Sequence, residues 1–153
     1  MQVIKNTIFI PKFGDSLQDI EYMGCTFTEN NFYKGTIINC KFIECDLSES
    51  NFSKAILSGC TFIDCNMEFC SMVRTQIYRS IFERCNMWHS NLCHSSIYDS
   101  KFHKCVVRAL FKDLDWQGNI FDISTIVESC GGNCCNMNKE IVEKINSQSI
   151  KTS

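Results

Sequence analysis

The sequence has no excess of charge of one sign: its 153 residues carry a formal net charge of -2. That balance argues against a dedicated nucleic-acid binder, so any electrostatic function must come from local clustering. Long hydrophobic runs are also missing, and no stretch approaches the roughly 18 apolar residues of a membrane span. The N-terminus joins no basic segment to an apolar stretch with a small-residue cleavage site, which leaves a soluble, unprocessed, cytoplasmic chain as the expectation. There is no glycine-rich phosphate loop and no C-x-x-C pair. His89, His94 and His103 fall at outward positions without an evident nucleophile or orienting carboxylate. The expectation is therefore no enzyme, no cofactor and no metal.

Hydrophobic residues, by contrast, make up 44% of the chain, ample for the core of a single domain. They recur every fifth place, at Tyr22, Phe27, Phe32, Ile37, Phe42, Leu47, Phe52, Leu57, Phe62, Met67, Met72, Ile77, Phe82, Met87, Leu92, Ile97, Phe102 and Val107. A five-residue step rotates about 140° on an α-helix and changes face at every step on a strand, so neither would gather these residues together. Chance at this composition gives such a series with a probability on the order of 10⁻⁶ to 10⁻⁷, and the repeat is accepted as real.

Two places before each of these centres lies a smaller residue, among them Cys25, Gly35, Cys45, Ser50, Ala55, Cys65, Thr75, Cys85, Ser95 and Cys105. A backbone that turns about 90° every five residues would aim both sets at one axis. The small partner prevents overpacking of a bore already filled by the large one. Residues twenty apart should then stack, and they match: Phe42, Phe62, Phe82 and Phe102 form one series and Cys25, Cys45, Cys65, Cys85 and Cys105 another. Over residues 20–109 the sequence resembles the pentapeptide-repeat family, written A(D/N)LXX, with cysteine often replacing the usual alanine. The resemblance implies an all-β fold, a right-handed quadrilateral β-helix. The domain reading is an N-terminal cap at 1–19, the β-helix at 20–109, an imperfect last coil or cap at 110–128, and a Cys-rich turn with a C-terminal helix and tail at 129–153. In the last coil the frame slips, and Phe111, Trp116, Phe121 and Ile126 resume the spacing.

Twelve cysteines could suggest a disulfide framework, but bore-facing thiols would point in parallel rather than at each other, as small buried hydrophobes. Reduced thiols fit a cytosolic compartment. Cys130, Cys134 and Cys135 in "SCGGNCC" lie beyond the repeat; they belong either to a structural cap or to a reactive thiol or metal sensor. Met137, Ile141, Val142 and Ile145 form the apolar stripe of a short helix that either closes the solenoid or is the seam of a homodimer.

Among outward residues, Lys34, Lys54, Arg74 and His94 fall on one corner as a basic stripe, and Tyr33, Tyr78, Tyr98 and Trp88 are expected to be exposed aromatics. The leading functional expectation is a non-enzymatic module presenting a rigid surface to a protein partner, a bacterial effector being one such use. Likeness of the C-terminal helix and of "DLDWQGNIF" to the quinolone-resistance-type subgroup implies an alternative, a dimeric imitation of duplex DNA that protects DNA gyrase. Such a mimic needs a long acidic surface, against which Lys34, Lys54, Arg74 and Arg84 run. Direct nucleic-acid binding is not expected.

Overall fold

The unit that builds the molecule is visible in the segment 32–36. Phe32 is buried, Tyr33 half-buried, Lys34 exposed, Gly35 buried and Thr36 half-buried, and the pattern then starts again at Ile37. The chain bends at the third place of each unit, where Lys34 has a φ of 59°. The computed structural model describes residues 1–9, 16–110, 113–121 and 126–129. Bends of this kind recur at Glu29, Asn39, Glu44, Glu49, Lys54 and onward to Lys104.

On two of the four sides the unit closes as a β-turn, with Asn30 N–H donating to the Phe27 carbonyl at 2.9 Å and Gly35 N–H to that of Phe32 at 2.8 Å. A positive φ at the third turn residue is the type II signature. The other two sides run as short strands. In chain order these are β1 (Gln2–Lys5), β2 (Leu17–Gln18), β3 (Ile20–Met23), β4 (Thr36–Ile38), β5 (Lys41–Ile43), β6 (Ile56–Ser58), β7 (Thr61–Ile63), β8 (Gln76–Tyr78), β9 (Ile81–Glu83), β10 (Ser96–Tyr98), β11 (Lys101–His103), β12 (Val106–Ala109), β13 (Asp115–Gln117), β14 (Ile120–Phe121) and β15 (Ile126–Ser129).

A 7-stranded sheet in the order β1-β3-β5-β7-β9-β11-β14 covers one side, and a 6-stranded sheet, β13-β10-β8-β6-β4-β2, covers the next. All neighbours are parallel and each strand pairs with the equivalent one in the next coil, Phe42 with Phe62 and Leu57 with Ile77. This is an all-β parallel solenoid. On the turn-bearing sides single bridges such as Asp46 with Asn66 and Asn51 with Ser71 keep the same register.

The stack extends beyond the regular repeat at both ends. β1 lies on β3, with Ile4 opposite Tyr22, and the Phe9 ring stacks on Phe27 at 4.3 Å. Part of the segment read from sequence as a cap thus continues the coil. At the other end Trp116 pairs with Ile97 and Phe121 with Phe102, one residue short of the twenty-residue spacing. Sequence spacing puts the next inward place at Ile126, whereas Val127 is the residue paired with Val107. Six residues rather than five separate Phe121 from that position, which cancels the earlier slip. Phe111, the thiols Cys130, Cys134 and Cys135, and the helix expected at Met137, Ile141, Val142 and Ile145 lie outside the described residues.

The bore is filled as the volume argument requires. Phe42, Phe52, Phe62, Phe82, Leu47, Leu57 and Met67 have no exposed surface. Ring centroids from Phe42 to Phe62 to Phe82 to Phe102 are 5.0, 4.9 and 4.8 Å apart with planes within 5° of parallel. The sheet spacing of about 4.8 Å enforces this stacked geometry. Gly59 shows how tightly coils fit outside the bore: its φ is +65°, and a Cβ there would approach the Asn39 Oδ1 to 2.6 Å.

Phe62→Ala removes the middle ring of the column, and the adjoining coils are held by backbone pairing and cannot close the gap. The expected loss is about 3–5 kcal/mol in urea unfolding, against a small effect for Lys54→Ala at the exposed corner. The reverse order would contradict the inward and outward assignment.

Candidate interaction surface

Four corners run the length of the solenoid, each a column of residues stacked one per coil. The column expected from sequence as a basic stripe is present: Lys34, Lys54, Arg74 and His94 are all exposed, with φ of 59°, 60°, 58° and 58°. Backbone bonds fix its spacing, Lys34 N–H to the Ser53 carbonyl, Lys54 N–H to Val73 and Arg74 N–H to Cys93, at 3.1, 2.9 and 3.0 Å. Lys54 Nζ donates to the Tyr33 hydroxyl at 3.0 Å, and the ammonium groups of Lys34 and Lys54 each lie 5.4 Å from the Tyr33 ring centroid. The Lys54 hydrogen bond holds the Tyr33 phenol below its ordinary pKa. Lys34, Lys54 and Arg74 have no carboxylate partner among the described residues. His94 differs, because its Nδ1 lies 3.3 Å from Asp113 Oδ2, and Asp113 ends the stripe with an acid.

The corner following the phenylalanine column behaves differently. It carries Glu44, Asp64, Arg84 and Lys104, all with positive φ. Arg84 grips Asp64 through Nε and Nη2 at 2.6 and 2.7 Å and also meets Glu83, so the boundary between an acidic and a basic half is internally neutralised. The guanidinium holds the Asp64 carboxyl below its usual range.

The aromatics need one correction. Tyr33, Tyr78 and Tyr98 are half-buried rather than exposed, because their rings lie along the faces: Tyr78 and Tyr98 stack at 5.7 Å, and the Tyr98 hydroxyl donates to Asp115. Trp88 is exposed, at 40%. Sequence reasoning missed its companion, Phe69, which is 54% exposed and stacks on His89 at 5.3 Å. The signal was available, since Phe69 is an apolar residue in a corner column otherwise made of Glu29, Glu49 and His89.

The thiol column is buried, and Cys25, Cys45, Cys65, Cys85 and Cys105 form no disulfide among the described residues. The small slot turns out to be a donor position as well. Cys65 Sγ donates to the Phe42 carbonyl at 3.2 Å, Cys70 Sγ to Leu47 at 3.0 Å, Ser50 Oγ to Phe27 at 2.6 Å and Thr75 Oγ1 to Phe52 at 2.8 Å. Each links a coil to the one before it. Cysteine, serine and threonine interchange there because each is small and carries a donor. Burial pushes the Cys60 and Cys70 thiols up to about 12.

Residues 36–107 match a family model described as a pentapeptide repeat region. This stretch of the chain is a pentapeptide-repeat region. Among solved structures, this pentapeptide-repeat solenoid resembles Rfr23, a pentapeptide repeat protein from the cyanobacterium Cyanothece 51142, with a TM-score of 0.60 at 13% identity over 76% of this chain and 90% of that one. It also resembles a trypsin-treated variant of QnrB1, a plasmid-mediated fluoroquinolone resistance protein, with a TM-score of 0.54 at 13% identity over 84% of this chain and 71% of that one. At such identity the likeness concerns the fold. No curated protein matches the chain in sequence. No helix among the described residues is long and apolar enough to cross a membrane.

The thiol pKa values generate a pH dependence. A buried thiol that keeps its proton to about 12, against 9.0 for the free group, contributes stability fully present below about pH 9 and lost as pH rises toward 12. The urea midpoint should therefore fall over that interval, and fall less in a Cys60→Ser/Cys70→Ser variant, which separates the thiols from other groups titrating there. Equal slopes in both proteins would contradict the assignment.

Proposed function

We propose that this pentapeptide-repeat solenoid is a non-enzymatic interaction module whose Lys34, Lys54 and Arg74 corner binds an acidic surface of a protein partner. The observation that carries the reading is the contrast between two corners. Arg84 is neutralised within the molecule by Asp64 and Glu83, whereas the three cations of the stripe have no carboxylate partner among the described residues. The backbone ladder holds them in a straight row, so what binding must still order is the lysine and arginine tails. A fixed row of like charges steers an opposite one and sets its register. Buried free thiols support a reducing compartment for this activity.

Protection of DNA gyrase is the competing reading, for which the fold shared with QnrB1 is the support. A duplex-like surface requires phosphate-like negative charge along the rod, and the unneutralised row at Lys34, Lys54 and Arg74 works against it. Homodimerisation through the segment containing Ile141 and Ile145 belongs to that reading and concerns residues outside those described.

The variant Lys34→Glu/Lys54→Glu/Arg74→Glu should remain folded, because all three side chains point outward. Captured by affinity pull-down, the partner of the wild type should be lost or bound at least about tenfold more weakly, with a flatter salt dependence. A gyrase supercoiling assay with a quinolone should be unaffected by the wild type. Undiminished capture by the triple variant would remove the corner as the site, and gyrase protection by the wild type would favour the competing reading.

A further inference from the structure

The next corner along the chain after that of Asp64 and Arg84 carries an assembly that folding does not explain. Its residues, Glu29, Glu49, Phe69 and His89, succeed one another through bonds from Glu29 N–H to Ser48, Glu49 N–H to Glu68, Phe69 N–H to Trp88 and His89 N–H to Arg108, at 3.0, 2.8, 2.9 and 2.7 Å. Phe69 has a φ of 57°, a conformation that favours glycine and asparagine and disfavours a bulky side chain. The other described residues with positive φ are polar, charged or glycine. Its ring points away from the bore, 54% exposed, and therefore adds no core packing.

That ring is one part of a continuous aromatic surface. Phe69 stacks on His89 with planes 13° apart, and His89 meets the Trp88 ring at a centroid distance of 4.7 Å. Carboxylates border it on one side: Glu49 and Glu29 lie one and two coils down the same column, exposed and without a salt bridge among the described residues. Glu68, beside Phe69 and one coil below Trp88, is occupied in accepting a bond from Asn86 Nδ2 at 2.7 Å. Arg108 lies one coil above Trp88, and the carboxylates of the column lie at its Glu49 end.

We propose that Phe69, Trp88 and His89, with Glu49 and Glu29, form a docking site for a protein segment that presents an arginine beside an apolar residue. The apolar side chain covers the Phe69 and Trp88 rings. The guanidinium stacks on an aromatic face while its N–H edge reaches a carboxylate, a combination that a lysine ammonium meets less well. This site is separate from the basic corner, and its charge complementarity is opposite in sign.

The probe is a blocked Gly-Leu-Arg-Gly peptide titrated into the 153-residue chain, followed by NMR at the Trp88 indole N–H. Saturable shifts are expected, with at least about tenfold weaker binding for the citrulline analogue, which keeps the shape but not the charge. Phe69→Asn and Glu49→Gln should each weaken the arginine peptide about fivefold or more. Phe69→Asn should at the same time leave the thermal midpoint unchanged or raise it, since asparagine accepts this φ. The triple variant Lys34→Glu/Lys54→Glu/Arg74→Glu should bind the peptide as the wild type does, which separates failure here from failure of the proposed function. Equal binding of the citrulline peptide, or unchanged binding by Phe69→Asn, would overturn the site. So would sedimentation showing a self-associated wild type that Phe69→Asn dissociates and that the peptide does not bind, because a second copy would then be the occupant.

Discussion

Everything in this solenoid depends on one backbone event, the left-handed residue at every fifth position. From Glu29 to Lys104 non-glycine residues take φ between 47° and 60° at the bends. An L-residue pays roughly 1–2 kcal/mol for that conformation, and the chain accepts it at nearly every corner. The offset is the bond each corner amide makes to the next coil, such as Lys54 N–H to Val73 and Glu44 N–H to Ile63, both at 2.9 Å. Without the neighbouring coil those amides would lose their partner and the bend its compensation, so coils stabilise one another rather than themselves.

The bend decides which residues matter for folding and which are left for recognition. Between corners, one large and one small side chain face the bore, and at several places the small one also ties its coil to the previous one through a donor to a carbonyl, as Cys70 does to Leu47 and Thr75 to Phe52. Sulfur and oxygen both donate from that slot, which accounts for cysteine filling it as readily as serine or threonine. The corner residues have no such obligation. Their columns can differ completely in character, and they do: one holds Lys34, Lys54 and Arg74 without a carboxylate partner among the described residues, one is cross-paired through Arg84 and Asp64, and one joins carboxylates to Phe69 and His89.

The period of five was legible because the bore admits a side chain only at fixed places, so the inward series from Tyr22 to Val107 is uninterrupted and buried. The basic column was legible for the same reason, since residues twenty apart must stack. The ends were harder to read. Pairing of Ile4 with Tyr22 and of Val127 with Val107 depends on irregular chain lengths between sides, and register in those coils is set by inter-coil bonding that no local pattern records. Half-burial of Tyr33, Tyr78 and Tyr98 escaped detection because a long ring beside a corner can fold along its face, which depends on partners such as Lys54 and Asp115 in other coils. The Phe69 surface was overlooked because one apolar residue in an outward slot looks unremarkable until its column neighbours are aligned.

The corner conformation is tested most directly by substitutions at two adjacent residues, Ser53 and Lys54, one before the bend and one on it. Lys54 has a φ of 60°, and Ser53 is not among the residues of positive φ. Glycine at Lys54 should leave the unfolding free energy unchanged or raise it, and isoleucine there should lower it by about 1–2 kcal/mol. At Ser53 the order should invert, glycine lowering stability by about 0.5–1 kcal/mol and isoleucine proving the better tolerated. The same order at both positions would contradict a chain that turns through a left-handed residue every five.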